Sequence, residues 1–263
     1  MTFVVIQEHP VTDAGSGLYG VTTGPDGALW FTLAHSGQVG RVVPGEAPTT
    51  YPVDPAGQPT IIVPGPDGAL WFTESRAHRV GRITTDGETT RFRVPGRDGG
   101  PYGIAPGPDA ALWFTMNQAN AIGRIDTDGT VTVHPLPTEA AAPVGITAGP
   151  DAAVWFVEIA AGQIGRITPD GTIDEFALPD RAGRPHAITT SGSGDLWFTE
   201  WAGNRVGSIT TDGTIAVHDL PTPRSEPHGI TVGPDDALWA ALENGTLARI
   251  WSTDGRPPAV TGG

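Results

Sequence analysis

Three short motifs near the end of the chain carry the side chains best suited to acid–base or metal chemistry. These are RPHAI with Arg184 and His186, FTE ending at Glu200, and EPHGI with Glu226 and His228, which is followed by Glu243. An imidazole titrates near neutral pH and can act as a general base. Carboxylate oxygens suit hard cations such as magnesium or calcium. Together these groups predict an acid–base or metal site, provided that the fold brings them to one place.

A repeat in the sequence indicates how the motifs are arranged. A short apolar segment around a tryptophan occurs six times, spaced 41 or 42 residues apart, at Trp30, Trp71, Trp113, Trp155, Trp197 and Trp239. Each unit has four apolar stretches separated by Gly, Pro and Asp, such as HAITT, DLWFTE, RVGSI and TIAVHDLP. A period near 42 with four strands per unit is typical of a β-propeller. We therefore predict an all-β propeller of six four-stranded blades, forming a single domain over residues 1–263.

The N-terminal segment FVVIQEHPV resembles the fourth strand of a blade that lacks its other three strands. The last unit, after Ile250, ends in RPPAVTGG, which is too rich in Pro and Gly to supply a good fourth strand. We therefore predict that residues around Phe3 to Gln7 complete the last blade and close the ring. Such closure would remove an exposed sheet edge.

Alignment of the six units shows which positions depart from the common pattern. Eleven residues before each tryptophan stand Tyr19, Thr60, Tyr102, Val144, His186 and His228. Two residues earlier stand Gly17, Gln58, Gly100, Ala142, Arg184 and Glu226. Three residues after each tryptophan stand Leu33, Glu74, Met116, Glu158, Glu200 and Leu242, with Glu243 one step further on.

These three columns are predicted to share one mouth of the central channel, because the innermost first strand and the second strand form an antiparallel hairpin. We expect His228 to pair across this hairpin with Glu243. For Glu74, Glu158 and Glu200 two interpretations are open: a part in the site, or an acidic rim with no role in function. Tyr19 and Tyr102 occupy the same column as the two histidines. His134 and His218, in contrast, share a column with Tyr51, Phe92 and Phe176, so we interpret them as structural. The Trp and Phe of each LWFT segment are predicted to pack against the blades on either side.

Composition excludes several classes of protein. The net charge is −14 and all fifteen basic residues are scattered arginines, which argues against a nucleic-acid partner. The absence of cysteine excludes disulfides and thiolate metal sites. No stretch approaches the length of a membrane span, and the N-terminus has no pattern of a signal peptide. A monomeric cytoplasmic protein is the resulting expectation.

The segments PVGITAGPDAAVWFVE, RPHAITTSGSGDLWFTEW and EPHGITVGPDDALWAALEN resemble the virginiamycin B lyase (streptogramin B lyase) family, and the similarity extends over essentially the whole chain. The resemblance implies a magnesium-dependent propeller enzyme that opens cyclic depsipeptides of the type B streptogramins by elimination at the ester. By motif, His228 is the implied general base, Glu226 and Glu243 the implied metal ligands, and His186 a substrate contact. We further predict that Arg184, Glu200, Tyr19 and Tyr102 bind the substrate.

The chain departs from the family pattern in two ways. The family has seven blades whereas this chain has six tryptophan units, so the channel is expected to be narrower. The last tryptophan is followed by Ala240 and Ala241, where the family has Phe next, and one extra residue precedes Trp239. Two other functions use the same residues: a metal-dependent lactonase or esterase in which His228 activates water, and a non-catalytic propeller that binds a partner at its rim.

Overall fold

The computed structural model describes residues 12, 15–96, 99–233 and 236–251, and these form a β-propeller. The predicted strand around Phe3 to Gln7 lies outside the described residues. Two single-turn 3₁₀ helices, Ser75–Ala77 and Arg181–Gly183, are the helical elements within the described ranges. No described helix has the length and hydropathy that a membrane span requires.

The strands are, in chain order, β1 (Leu18–Thr23), β2 (Leu29–Leu33), β3 (Gln38–Val42), β4 (Thr49–Pro52), β5 (Pro59–Pro64), β6 (Leu70–Glu74), β7 (Arg79–Ile83), β8 (Thr89–Arg93), β9 (Pro101–Pro106), β10 (Leu112–Met116), β11 (Ala121–Ile125), β12 (Val131–Pro135), β13 (Pro143–Ala148), β14 (Val154–Glu158), β15 (Gln163–Ile167), β16 (Ile173–Ala177), β17 (Pro185–Thr190), β18 (Leu196–Glu200), β19 (Arg205–Ile209), β20 (Ile215–Asp219), β21 (Pro227–Val232), β22 (Leu238–Leu242) and β23 (Thr246–Ile250).

Six sheets, each an antiparallel meander, form the blades and confirm the predicted all-β propeller of six units. Blades one to five are the four-stranded sheets β1–β4, β5–β8, β9–β12, β13–β16 and β17–β20. Blade six has three strands within the described residues, β21–β23. The first strands of neighbouring blades contact one another, so they surround the centre of the molecule.

The core consists of tryptophan and phenylalanine layers between blades. Trp30 of blade one lies in one buried cluster with Phe72 of blade two, and Trp71 lies in the next cluster with Phe114. The same pairing continues from Trp113 to Phe156 and from Trp155 to Phe198. Because successive side chains of a strand point to opposite faces, one LWFT segment serves both interfaces of its blade. The predicted packing of Trp and Phe against opposite neighbours is confirmed.

Each strand-two tryptophan also stacks on an aromatic side chain of its own fourth strand. The pairs are Trp30 with Tyr51, Trp71 with Phe92, Trp113 with His134, Trp155 with Phe176 and Trp197 with His218, at centroid distances of 5.4 to 5.7 Å. Aromatic pairs of this kind contribute about 0.5–1.5 kcal/mol beyond the area that they bury. The structural interpretation of His134 and His218 is therefore confirmed.

Five buried clusters join consecutive blades, but none of those within the described residues joins blade six to blade one. On blade one, Leu18, Tyr19 and Val21 are 56%, 51% and 66% exposed. They border an apolar groove of about 570 Å³ that is also lined by Phe31. On blade six, Leu247 is 65% exposed. The first and last blades thus present uncovered apolar faces.

Candidate functional site

The residue directly before the first strand of each blade has a left-handed backbone conformation. The φ values are 74° at Gly17, 53° at Gln58, 51° at Gly100, 53° at Ala142, 54° at Arg184 and 48° at Glu226. A residue with a side chain costs roughly 1–2 kcal/mol in this conformation, whereas glycine adopts it readily. Arg184 and Glu226 therefore occupy backbone positions that glycine would fill with less strain.

A β-bulge near the start of each first strand directs the two histidines. In blade five the ladder pairs Pro185 with Glu200 and resumes at Ile188 with Phe198, so His186 and Ala187 together face one residue of β18. Blade six has the same irregularity between Pro227 and Ile230. Bulges of this kind bend a strand and re-aim its side chains.

The predicted backbone pairing of His228 with Glu243 is wrong. In the ladder Pro227 pairs with Leu242, and the amide of Glu243 donates to the carbonyl oxygen of Ser225 at 2.8 Å. The regular part of the ladder pairs Ile230 with Ala240 and Val232 with Leu238, one residue away from the predicted register, and the bulge shifts the pairing by one residue more. The side chains nevertheless meet, since His228 Nε2 lies 3.2 Å from Glu243 Oε2.

The imidazole of His228 lies at the centre of the candidate site and is open to solvent. Its side chain is 41% exposed and that of Glu243 is 60% exposed. The ring of His186 meets it edge to face, with centroids 4.8 Å apart and an interplanar angle of 88°. The indole of Trp201 lies on another side, at a centroid distance of 6.4 Å. A reactant can therefore reach His228 while its neighbours hold the ring.

Glu226 and Glu243 form a pair of adjacent carboxyl groups beside His228. A hydrogen bond that the protonated carboxyl group of Glu226 donates to Glu243 raises the pKa of Glu226 above its usual value. The same hydrogen bond, together with one from His228, lowers the pKa of Glu243. Two carboxyl groups this close share a proton or a cation, because both cannot comfortably carry an isolated charge.

This donor set fits a magnesium ion. Magnesium is often held by one or two carboxylates and completes its shell with water or substrate. Glu226 and Glu243 supply such a pair of hard oxygen donors next to the proposed base. Within the described ranges, no set of three or more His, Asp or Glu side chains has a geometry that could hold a metal ion.

Two buried polar atoms flank His228. They are Nδ1 of His186 and Nε1 of Trp201. Burial, followed by the proximity of His228, lowers the pKa of His186, so its ring is neutral at pH 7. Buried polar atoms in native proteins nearly always have a partner. The indole N–H of Trp201 hydrogen-bonds Glu226 and Glu243 and lowers the pKa of both carboxyl groups, whereas Nδ1 of His186 has no partner.

Trp201 is the site residue that sequence reasoning did not assign, although the FTEW motif contains it. It stands four residues after Trp197, in a column that otherwise holds Ala34, Ser75, Asn117, Ile159 and Glu243. A single tryptophan in this column was the available signal. The guanidinium of Arg184 lies over its ring at 5.8 Å, a cation–π distance. Trp201 also lines a cavity of about 230 Å³ together with Glu226 and Arg224. Arg184 therefore contacts a residue that lines this cavity, and its contact with substrate stays a prediction.

The predicted acidic rim is wrong, because the glutamates of the third column are fully buried. Glu74 lies 3.1 Å from Arg79, and Glu200 lies 2.6 Å from Arg205. Glu158 accepts a hydrogen bond from Gln163 at 2.6 Å. All three are 0% exposed. Glu200 is thus held inside blade five, away from a substrate at the rim, and its predicted contact with substrate has no support in this geometry.

Tyr19 and Tyr102 are brought together at the channel mouth, where their hydroxyl groups form a hydrogen bond. Burial, followed by this hydrogen bond, raises the pKa of Tyr102. Tyr19 also borders the groove on blade one. Their role in substrate binding stays a prediction.

Comparison with known proteins shows which family the chain belongs to. The profile of the virginiamycin B lyase family matches residues 4–116 and 104–250. The virginiamycin B lyase of Saccharopolyspora erythraea is 57% identical over 51 residues, which cover 19% of this chain and 17% of that protein. The one from Bordetella bronchiseptica is 48% identical over 63 residues, or 24% of this chain and 21% of that protein. These curated relatives are thus matched over about a fifth of their length.

Solved structures match over a longer span. Virginiamycin B lyase from Staphylococcus aureus superposes with a TM-score of 0.89 at 40% identity, covering 92% of this chain and 83% of that chain. A catalytically inactive histidine-to-alanine variant of that enzyme, solved with quinupristin, gives the same TM-score and coverage. On the extent of the profile match, the chain belongs to the virginiamycin B lyase family.

Proposed function

We propose that this protein is a lyase that opens cyclic depsipeptides of the type B streptogramins by elimination at their ester bond. The observation that carries the proposal is the solvent-open imidazole of His228 between His186 and the Glu226–Glu243 pair. The quinupristin complex of the Staphylococcus aureus relative supports the substrate class. The monomeric state and the cytoplasmic location stay predictions.

His228 would remove the proton. A neutral imidazole carries one N–H. When Nε2–H of His228 donates to Glu243, at 3.2 Å, Nδ1 is the nitrogen free to accept a proton. In the proposed step Nδ1 takes the proton from the carbon next to a carbonyl of the substrate. The electron pair forms a carbon–carbon double bond, and the ester oxygen leaves as a carboxylate. No water is consumed, so the mass of the product equals that of the substrate.

The neighbouring residues would orient the substrate and stabilise charge. Glu226 and Glu243 would hold the magnesium ion, which supplies Lewis-acid polarisation of the substrate carbonyl when bound. Neutral His186 has an unpartnered Nδ1 that can hydrogen-bond the substrate, and the indole N–H of Trp201 would hold the two carboxyl groups in place. Arg184 would keep the Trp201 ring in place.

The test is incubation of the purified protein with quinupristin, with and without a chelator, followed by mass measurement of the product. We expect ring opening at unchanged mass, and loss of turnover with chelator. His228→Ala should reduce kcat by roughly 10²–10⁴-fold, the usual contribution of a positioned general base. His35→Ala is the matched control, because His35 is an exposed loop histidine. Full activity of His228→Ala would remove His228 from the mechanism.

Heavy-oxygen water separates elimination from hydrolysis. Incorporation of the label into the new carboxylate would replace the lyase with a lactonase or esterase, in which His228 activates water. Absence of any turnover and of any chelator effect would favour a binding module instead.

A further inference from the structure

The bulges that direct the histidines also disrupt the strand ladder, and in four of the six blades a threonine of the second strand binds the displaced backbone groups. Thr32, Thr73, Thr115 and Thr199 occupy the same place in their LWFT segments. Each hydroxyl donates to a carbonyl of the next blade: Thr60, Tyr102, Val144 and His228, respectively. Buried backbone groups require such partners. These threonines therefore couple blades one, two, three and five to the bulge of the blade that follows each of them.

In blade five this contact reaches the proposed base. Thr199 is fully buried, and its Oγ1 donates to the carbonyl oxygen of His228 at 2.6 Å. The same Oγ1 accepts a hydrogen bond from the amide of Ala187 at 3.1 Å. Ala187 directly follows His186 in the chain. A single hydroxyl thus ties the backbone of one site histidine to that of the other, across the boundary between blades five and six.

The column is interrupted on either side of blade five. Blade four has Val157 in place of threonine, so no hydroxyl at this position reaches the backbone of His186. Blade six has Ala241. Of the two histidines, His228 is therefore the one whose carbonyl is anchored by a neighbouring blade, and it is the one that the proposed function names as the base.

We propose that Thr199 is a positioning residue for His228, an inference that rests on the proposed function. Its hydroxyl fixes the backbone from which the imidazole projects, and so sets the distance from the ring to the substrate proton and to Glu243. Misplacement of a catalytic group by about 1 Å can reduce turnover by about 10²-fold.

The test is Thr199→Val, which removes the hydroxyl and keeps the shape of the side chain. We expect kcat to fall by roughly 10–100-fold with KM nearly unchanged, because the substrate contacts remain while the base shifts. Thr199→Ser keeps the hydroxyl and should keep kcat near the wild-type value. A serine variant as impaired as the valine variant would overturn the proposal, because the hydroxyl would then not be the cause.

Thr115→Val is the matched control. Thr115 makes the equivalent bonds to the carbonyl of Val144 and the amide of Gly103, between blades three and four. It should lower Tm about as much as Thr199→Val and leave kcat unchanged. Equal kcat values for the two valine variants would show that the bond has a structural role alone and would overturn the proposal.

NMR signals of the His228 ring provide a readout that needs no turnover. The ring signals, assigned by their loss in His228→Ala, should shift in Thr199→Val and stay in place in Thr115→Val. If the wild-type protein does not open quinupristin, the proposed function fails, and this comparison still decides whether Thr199 positions His228. Unshifted signals in Thr199→Val would overturn the inference.

Discussion

Residues with positive φ stand at the entrance to each first strand, and two of them belong to the candidate site. Glycine takes this place in blades one and three, at Gly17 and Gly100. The backbone alone therefore does not require the side chains of Arg184 or Glu226. Strained residues persist in folded proteins where they serve a purpose. Because Gln58 and Ala142 have the same conformation, it is the contacts of Arg184 and Glu226 beside His228 that support a functional role for them.

Replacement of Glu226 by glycine should separate function from folding. We expect the free energy of unfolding to stay within about 1 kcal/mol of wild type, because relief of the left-handed strain offsets the greater entropy of the unfolded chain. Turnover of quinupristin and its dependence on magnesium should be lost with the carboxylate. The measurements are denaturant unfolding and a magnesium titration of activity.

Gln58→Gly is the matched variant for this experiment. Gln58 has a φ of 53° in the same column, but it lies in blade two. The free energy of unfolding of the Gln58→Gly protein should change as it does in Glu226→Gly, while its activity stays at the wild-type level. A Glu226→Gly protein that keeps full activity and its magnesium response would exclude Glu226 as a ligand.

For individual residues, comparison of the repeats predicted which side chains form the candidate site, but not the neighbouring residues that position them. Comparison of columns brought together His186, His228, Glu226 and Glu243, and the structure places these side chains in contact. It missed Trp201, because that residue lies in the turn just after strand β18, outside the repeated strand segments. It also missed Thr199, because threonine is the common residue of its column. The bulges whose backbone Thr199 binds leave no trace in hydrophobic periodicity.

In blades two and five, an ion pair between the second and third strands explains why the glutamates are buried and do not form an acidic rim. Glu74 and Glu200 face Arg79 and Arg205, each five residues later and directly across the ladder. This spacing is visible in the sequence and indicates an internal pair. Blade four keeps the glutamate, Glu158, but has Gln163 in place of the arginine. Its carboxyl is therefore buried without a cation facing it across the ladder.

Glu158 should make the stability of the protein dependent on pH. Burial raises the pKa of Glu158 to about 8, whereas the ordinary glutamate value is 4.5. The folded state therefore holds this proton more tightly than the unfolded state, so stability falls as pH rises from about 4.5 to about 8. Over that window Glu158 should reduce the free energy of unfolding by on the order of 1 kcal/mol per pH unit.

Glu158→Gln should remove this contribution. The variant should gain stability over wild type as pH rises, with the largest difference at and above pH 8, in denaturant unfolding measured from pH 5 to 9. Glu139→Gln is the control, because it makes the same charge change at an exposed position. Parallel stability curves for Glu158→Gln and wild type would show that the carboxyl has no raised pKa in the folded protein.

At the scale of the whole molecule, the repeat predicted the fold but left the closure of the ring open. The family profile matches in two stretches that overlap at residues 104–116. The first and last blades carry exposed apolar faces, and residues near the N-terminus were predicted to close the ring. Periodicity specifies each unit and its neighbours, but it does not specify the angle between units that decides whether six of them meet.

The spacing of the N-terminal segment favours closure. His9 precedes the first residue of β1 by nine residues, as His134 precedes that of β13 and His218 that of β21. In the latter two cases the segment links a fourth strand to the adjacent blade. The equal length before β1 is in keeping with the predicted closing strand, which lies outside the described residues. Blade six is the one that has three strands within the described residues.

Closure would bring Val21 of the first strand of blade one next to Leu247 of the third strand of blade six. At every described interface, the residues at these two positions share one cluster. Between blades two and three, for example, Val80 corresponds to Leu247 and Ile104 to Val21. We expect oxidation of Val21→Cys/Leu247→Cys, in a chain that otherwise lacks cysteine, to give a disulfide within one monomer. Its yield should match that of the control pair Val80→Cys/Ile104→Cys, because both pairs would occupy equivalent positions. The measurement is mass and non-reducing electrophoresis at several protein concentrations. A disulfide between chains would mean that a second copy covers these faces, and no disulfide beside a positive control would mean that the ring stays open.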